Sequence, residues 1–264
     1  MVWPFSSNSS GGSDASSVVS SAKALFRAAE ASVEEATRSI PEHMKPYLIT
    51  AAAFGLSASA IIFYRGRLRR IPTAAYLTPD LLKGKTVLRG KVTSVGDADN
   101  FRFYHTPGGI WAGWGWLRRV PNESKELKNQ TLHIRIAGVD APEGAHFGMP
   151  AQPFSQEALE WLRGQLLGKT VLVQIYARDR YDRVVSMAWY PRALPFLPMK
   201  NVSAEMLKAG YGQIYRQAGS QYGGMLSKFE VLEAKARGQK IGIWSQEKMV
   251  SAAEHKKQHL RGGD

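Results

Sequence analysis

With 264 residues, the chain is long enough for one substantial core plus appendages and too short for two full domains. It has no cysteine, which excludes disulfides, thiolate zinc sites and cysteine catalysis, and its six histidines lack ligand spacing, which argues against a zinc centre. The net charge is +13, about +11 of it from Leu81 onward, so the C-terminal part is a basic body suited to nucleic acid or an anionic membrane surface.

Residues 1–17 are rich in Ser and Gly and carry too little apolar surface to offset the entropy of ordering. Val18, Ala22, Leu25, Ala29, Val33 and Ala36 then recur at helical spacing until Pro41, which predicts an amphipathic helix. This leader carries as many acids as bases from 18 to 40, a poor composition for a transit peptide. Residues 46–64 form an uncharged run of the length that crosses a hydrocarbon core, and are expected to be a single transmembrane helix. Arg65, Arg67, Arg69 and Arg70 follow as a basic anchor and favour keeping the C-terminal domain on the side from which insertion starts. The expected organisation is therefore an N-terminal region 1–45, the membrane helix 46–64, a basic linker 65–82, a globular domain 83–246 and a charged tail 247–264.

Within the domain the apolar period changes to two. Leu132, Ile134 and Ile136 alternate with polar residues, Val171, Val173 and Ile175 do the same, and 184–190 is a further apolar strand. Helices are expected at 156–167, ending at Gly168, at 202–209 with Asn201 as N-cap and Gly210 as stop, and at 225–237 with Met225, Phe229, Leu232 and Ala236 inward. Short strands with a few helices point to a small barrel of the α+β class. Between Phe103 and Leu132 an insertion carries Trp111, Trp114 and Trp116 among glycines, then Arg118 and Arg119. Packing on the barrel or contact with a bilayer suits these rings somewhat better than stacking on nucleic acid bases.

Three separated segments put charge where strands give way to turns: Gly96-Asp97-Ala98-Asp99-Asn100, Arg135 through Asp140-Ala141-Pro142-Glu143, and Arg178-Asp179-Arg180-Tyr181-Asp182-Arg183. Singly, each reads as an ordinary Asx-rich turn. Jointly they supply carboxylates for a hard cation, one more carboxylate to serve as a base, and guanidinium groups to clamp a phosphate.

From about Lys85 to Ser245, closing on Gly242-Ile243-Trp244-Ser245, these segments resemble the staphylococcal nuclease-like endonucleases. With the apolar N-terminal run and the stretch Asp99-Asn100-Phe101-Arg102 to Pro107-Gly108-Gly109, the chain is similar to the fungal membrane-anchored, mitochondrial members of that family. The resemblance implies an OB-type five-stranded β-barrel with three helices, preceded here by a single transmembrane helix, and hydrolysis of DNA, RNA or both to leave 3′-phosphates. It implies Ca²⁺ ligands at Asp99 and Asp140 with Asp97 in support, and catalytic roles for Arg135, Glu143 and Arg183. Tyr181, on the same turn as Arg183, suits a phosphate or base contact and reads equally well as a tyrosine at the edge of the core. Three positions depart from the best-known pattern: Ala141, whose backbone carbonyl is what the metal would use, Asn100 near the metal, and Asp182 in place of a glycine before Arg183. The rival readings are a scaffold that binds nucleic acid or protein without cutting, and a tether for anionic lipid. Neither has need of Arg135, Asp140, Glu143 and Arg183 together.

Overall fold

The computed structural model describes residues 40–145, 150–194 and 196–246, with scattered positions between 20 and 38. The predicted Ser/Gly-rich start, the apolar positions of the amphipathic helix and the 247–264 tail lie outside the described residues. The chain divides into two units at Tyr64 and Arg65.

In the first unit, Lys45–Phe63 forms helix α1, opened by Pro46 in its first turn, where the missing N–H costs nothing. None of its residues is buried against protein. Two of its hydroxyls bond back into the helix, Thr50 Oγ1 to the Pro46 carbonyl at 2.7 Å and Ser57 Oγ to the Ala53 carbonyl at 2.8 Å, so neither needs water. The helical stretch Glu42–Gly66 has a mean hydropathy of 1.7, and among the described residues it is the one helix long and apolar enough to cross a membrane.

The second unit is built on strands β1 (Val87–Asp97), β2 (Asn100–His105), β3 (Leu132–Ile136), β5 (Thr170–Arg178) and β6 (Val184–Tyr190). The sheet order is β3-β2-β1-β5-β6, extended by the two-residue β7 (Lys200–Asn201), and β3 also pairs in parallel with β6. The last of the five strands is thereby joined back to the first, the arrangement expected of an OB-type sheet. Register shifts between Val92 and Asp97 let the long β1 bend as it passes from β5 to β2. A second ladder joins β4 (Val139–Asp140) to β8 (Gln213–Ile214).

Alternation does what the sequence predicts. Leu132, Ile134, Ile136, Val171, Val173 and Ile175 are fully buried, together with Phe101, Phe103 and Met187. Helix α2 (Ser155–Leu166) covers the sheet with Ala158, Leu162 and Leu166. Asn201 caps helix α3 (Val202–Lys208) by accepting the Ala204 N–H at 2.9 Å, and helix α4 (Leu226–Gly238) buries Phe229 and Ala236. The Gly242–Ser245 turn docks on the end of α3, with the Ile243 N–H donating to the Gly210 carbonyl at 2.9 Å. Gly210 and Gly242 both have positive φ, and a Cβ on Gly242 would stand 2.2 Å from the Gly210 oxygen, so that contact is open only to glycine.

Candidate active site

The β1–β2 hairpin places Asp97, Asp99 and Asn100 at one rim. Register sets Asn100 of β2 opposite Arg135 of β3, so the guanidinium rises beside the hairpin's acids. Arg135 forms an ion pair with Asp99 and a longer one, 3.7 Å, with Asp140, and all three side chains are largely shielded from solvent. Asp140 is presented by β4, whose pairing with β8 sets it opposite Gln213. Glu143 follows on a loop tied by two bonds: its N–H donates to Gln152 Oε1 at 2.8 Å, and its carbonyl accepts the Gln152 N–H at 2.9 Å.

The third segment is the β5–β6 turn. Asp179 gathers it by accepting the N–H groups of Tyr181 (2.8 Å) and Arg183 (2.9 Å) on Oδ1 and Arg183 Nε on Oδ2 at 2.7 Å. Burial opposes ionisation of Asp179, but the bonds from Arg183 and Tyr181 and the charge of Arg183 win and hold its carboxyl below the usual range. Asp182 has a positive φ of 63°, a conformation that suits glycine, and its carboxylate pairs with Arg178. The extra negative charge before Arg183 is thus paired elsewhere. Tyr181 stands exposed, its ring centroid 5.3 Å from the Arg183 Cζ.

All seven residues singled out from the sequence, Asp97, Asp99, Arg135, Asp140, Glu143, Tyr181 and Arg183, line one cleft of about 1470 Å³. Its acids crowd one another. Burial pushes Asp97 up from the ordinary carboxylate range, and Asp99 and Glu143 push it further. Burial likewise raises Asp140, opposed by Arg135 and a bond from Gln213 and reinforced by Asp99 and Glu143. Among the described residues, no group of three or more His, Asp or Glu side chains forms a ready-made metal cage.

Sequence reasoning missed His133, Tyr215 and Gln152 as supporting residues and read Asn100 only as a departure near the metal. Asn100 donates from Nδ2 to Asp99 at 3.1 Å and Asp97 at 3.4 Å, and its Oδ1 sits 3.0 Å from His133 Nε2. Burial first, then Arg102 and Arg183, lower His133 to about 4, so at neutral pH it is an uncharged donor to Asn100. The position that departs from the family pattern is therefore a spacer that holds two acids. Tyr215, just past β8, lies under Arg135 with Cζ 5.2 Å from its ring, and Gln152 anchors Glu143. The alternation of β3 places His133 beside Arg135 on the polar face, a signal that was available; Tyr215 and Gln152 carry none, being brought in by tertiary structure.

A family model described as staphylococcal nuclease homologue matches residues 133–246. Three fungal proteins, each named probable endonuclease LCL3, are similar over most of the chain. That of Colletotrichum graminicola is 45% identical over 256 residues, covering 94% of this chain and 89% of its own. That of Candida tropicalis is 46% identical over 225 residues, 83% of this chain and 93% of its own. That of Botryotinia fuckeliana is 52% identical over 188 residues, 70% of each.

Proposed function

The chain belongs to the staphylococcal nuclease family, and from that premise we propose that it is a membrane-anchored, calcium-dependent endonuclease acting on the phosphodiester bonds of DNA, RNA or both. The observation that carries the reading is the meeting of three segments, distant in sequence, in one cleft that holds Asp99, Arg135, Asp140, Glu143 and Arg183. The relatives' names point the same way.

A cation fits the donor set. The cleft offers hard carboxylate oxygens without a thiolate: Asp97, Asp99, Asp140 and Glu143 line it together, and Arg135 pairs with Asp99 and Asp140. Asp99 and Asp140, with Asp97 in support and the Ala141 carbonyl, would hold calcium, a cation tolerant of mixed carboxylate, carbonyl and water shells. When bound it supplies Lewis-acid polarisation of a phosphate oxygen.

The remaining work falls to side chains of this protein. A phosphodiester already bears a negative charge, so attack by water needs charge neutralisation and an oriented nucleophile. Glu143, steadied by Gln152, accepts the proton of the attacking water, a contribution of roughly 10²- to 10⁴-fold. Arg183, held in place by Asp179, and Arg135, which pairs with Asp99 and Asp140 at the cleft's rim, donate to the oxygens on which charge accumulates. Tyr181 at the rim offers its ring to a base or its hydroxyl to a phosphate.

Cleavage of a fluorescent oligonucleotide by the full chain, over a calcium titration and in chelator, tests this. Glu143→Gln should lower turnover about 10²-fold or more with little rescue by calcium. Asp140→Asn should shift the calcium midpoint upward, and excess calcium should restore part of the rate. A folded Glu143→Gln protein that cuts at the wild-type rate sinks the mechanism, and nucleic acid binding without cleavage by the wild type returns the scaffold reading. The membrane reading rests on the apolar helix Glu42–Gly66, and the mitochondrial address on the resemblance. Imaging of a C-terminally tagged chain checks the address.

A further inference from the structure

The 107–119 loop takes no part in the cleft: none of its residues lines it. It buries Trp114 and pushes four large apolar side chains outward, Ile110, Trp111, Trp116 and Leu117, with Trp111 95% exposed. This is a built conformation. Trp114 Nε1 donates to the Pro107 carbonyl and Trp116 Nε1 to the Ile110 carbonyl, each at 3.0 Å, while the Leu117 and Arg118 N–H groups share the Gly113 carbonyl. Arg118 stacks on the buried Trp114 with Cζ 4.0 Å from the ring. A rigid loop showing two indoles, an Ile and a Leu to water is an unusual surface for a soluble domain and marks an interaction site.

The base of the loop is fastened to the chain that leaves the apolar helix. Leu68, two residues beyond the end of the span at Gly66, reaches so close to Gly108 that a Cβ there would meet its Cδ2 at 2.6 Å. Arg70 Nη1 donates to Tyr104 Oη at 2.8 Å with Cζ 3.8 Å from the Tyr104 ring, which meets Trp114 edge-on at 5.8 Å. Two residues of chain reach at most about 7 Å, so a span that crosses a bilayer delivers Leu68, and the loop it touches, to the headgroup layer. Indole rings favour that layer, and Arg69, Arg118 and Arg119 match anionic headgroups in charge.

We propose that the 107–119 loop is a membrane-interface anchor, in which Trp111 and Trp116 insert among the headgroups of an anionic phospholipid bilayer and hold the domain against the surface. This rests on the membrane-anchored reading of the chain. The test uses the full chain, in a Trp3→Phe background, reconstituted into phosphatidylglycerol/phosphatidylcholine vesicles with and without lipid brominated near the headgroup. Part of the tryptophan emission should be quenched by the brominated lipid. The Trp111→Ser/Trp116→Ser variant should lose most of that quenching, while its nuclease rate in detergent, which reports folding, stays unchanged. Carbonate washing reads the span separately. A chain that resists carbonate but whose Trp111 and Trp116 emission is quenched by aqueous iodide and not by the lipid overturns the proposal and leaves the span standing. Lipid quenching at neutral pH in a chain that carbonate releases supports the loop and removes the span. Shielding of the two tryptophans from iodide by a single-stranded oligonucleotide and not by vesicles also overturns it.

Discussion

Two aspartates on one turn have opposite duties. Asp179 ties down Arg183 through two bonds to its carboxylate, whereas Asp182 points its charge at Arg178 on the exposed side. Asp179→Asn keeps an acceptor for the turn but sets an amide where the Arg183 Nε–H needs a carboxylate, so kcat should fall about 10-fold while KM moves little. A purely structural role would lower the melting temperature and leave kcat of the folded fraction intact, and steady-state kinetics beside circular dichroism separates the two. Asp182→Gly should leave kcat within about two-fold and stability within about 1 kcal/mol, because relief of the left-handed backbone offsets the lost exposed pair and the added freedom of the unfolded chain. From the sequence alone, Asp182 reads as a negative charge in place of a glycine before Arg183, since charge is legible in a sequence and direction is not. The residues of the cleft were legible because each sits in a charge-rich segment where a strand gives way to a turn; the roles of Asn100, Tyr215 and Gln152 were not, because what they do depends on which strand or loop faces them.

The helices and the three apolar strands were readable because burial imposes its period on them, and their limits fall within about one residue of those expected for 156–167 and 225–237. Strand β1 was hidden by its glycines and its bulges, and β4 and β8, at two residues each, are too short to leave any period. The family's closing turn has a physical reason in the Gly210–Gly242 contact. Gly242→Ala should cost at least about 2 kcal/mol, read as a lower urea midpoint at unchanged slope, since it combines an unfavourable φ with a backbone clash. The end of β2 carries a pH liability. Burial first, then the charge of Arg70, hold His105 down at about 4, and its Nδ1 accepts the Ile71 N–H at 2.9 Å. The unfolded chain takes up a proton below about 6.5 that the native state refuses, so this histidine's contribution is fully present above 6.5 and is lost as pH falls toward 4, by up to about 3 kcal/mol. His105→Asn retains an acceptor near Nδ1 and removes the titration; urea midpoints taken from pH 7 to 4.5 should fall less steeply for the variant than for the wild type.

A net charge of +13, most of it on the catalytic unit, makes substrate capture electrostatic. Binding of an uncleaved single-stranded oligonucleotide in chelator should weaken roughly 10-fold or more between about 50 and about 200 mM salt, and a flat response would argue against contact with several phosphates. Deleting residues 46–64 should release the chain from carbonate-washed membranes, and retention of the deleted chain would deny the helix its anchoring role. The register of β1 reaches further, into the order in which the molecule is made. One edge of β1 is served at once by β2, but the other pairs Lys91 with Thr170 and Val87 with Gln174, partners translated roughly 80 residues later. The apolar helix therefore leaves the ribosome while the sheet still has an unsatisfied edge, a condition that invites mispairing. A nascent chain arrested before β5 should be open to protease and held by chaperones, and one released after Ser245 should resist digestion. On the anchored reading proposed above, membrane engagement precedes folding of the catalytic unit, and the chain is tethered before its cleft exists.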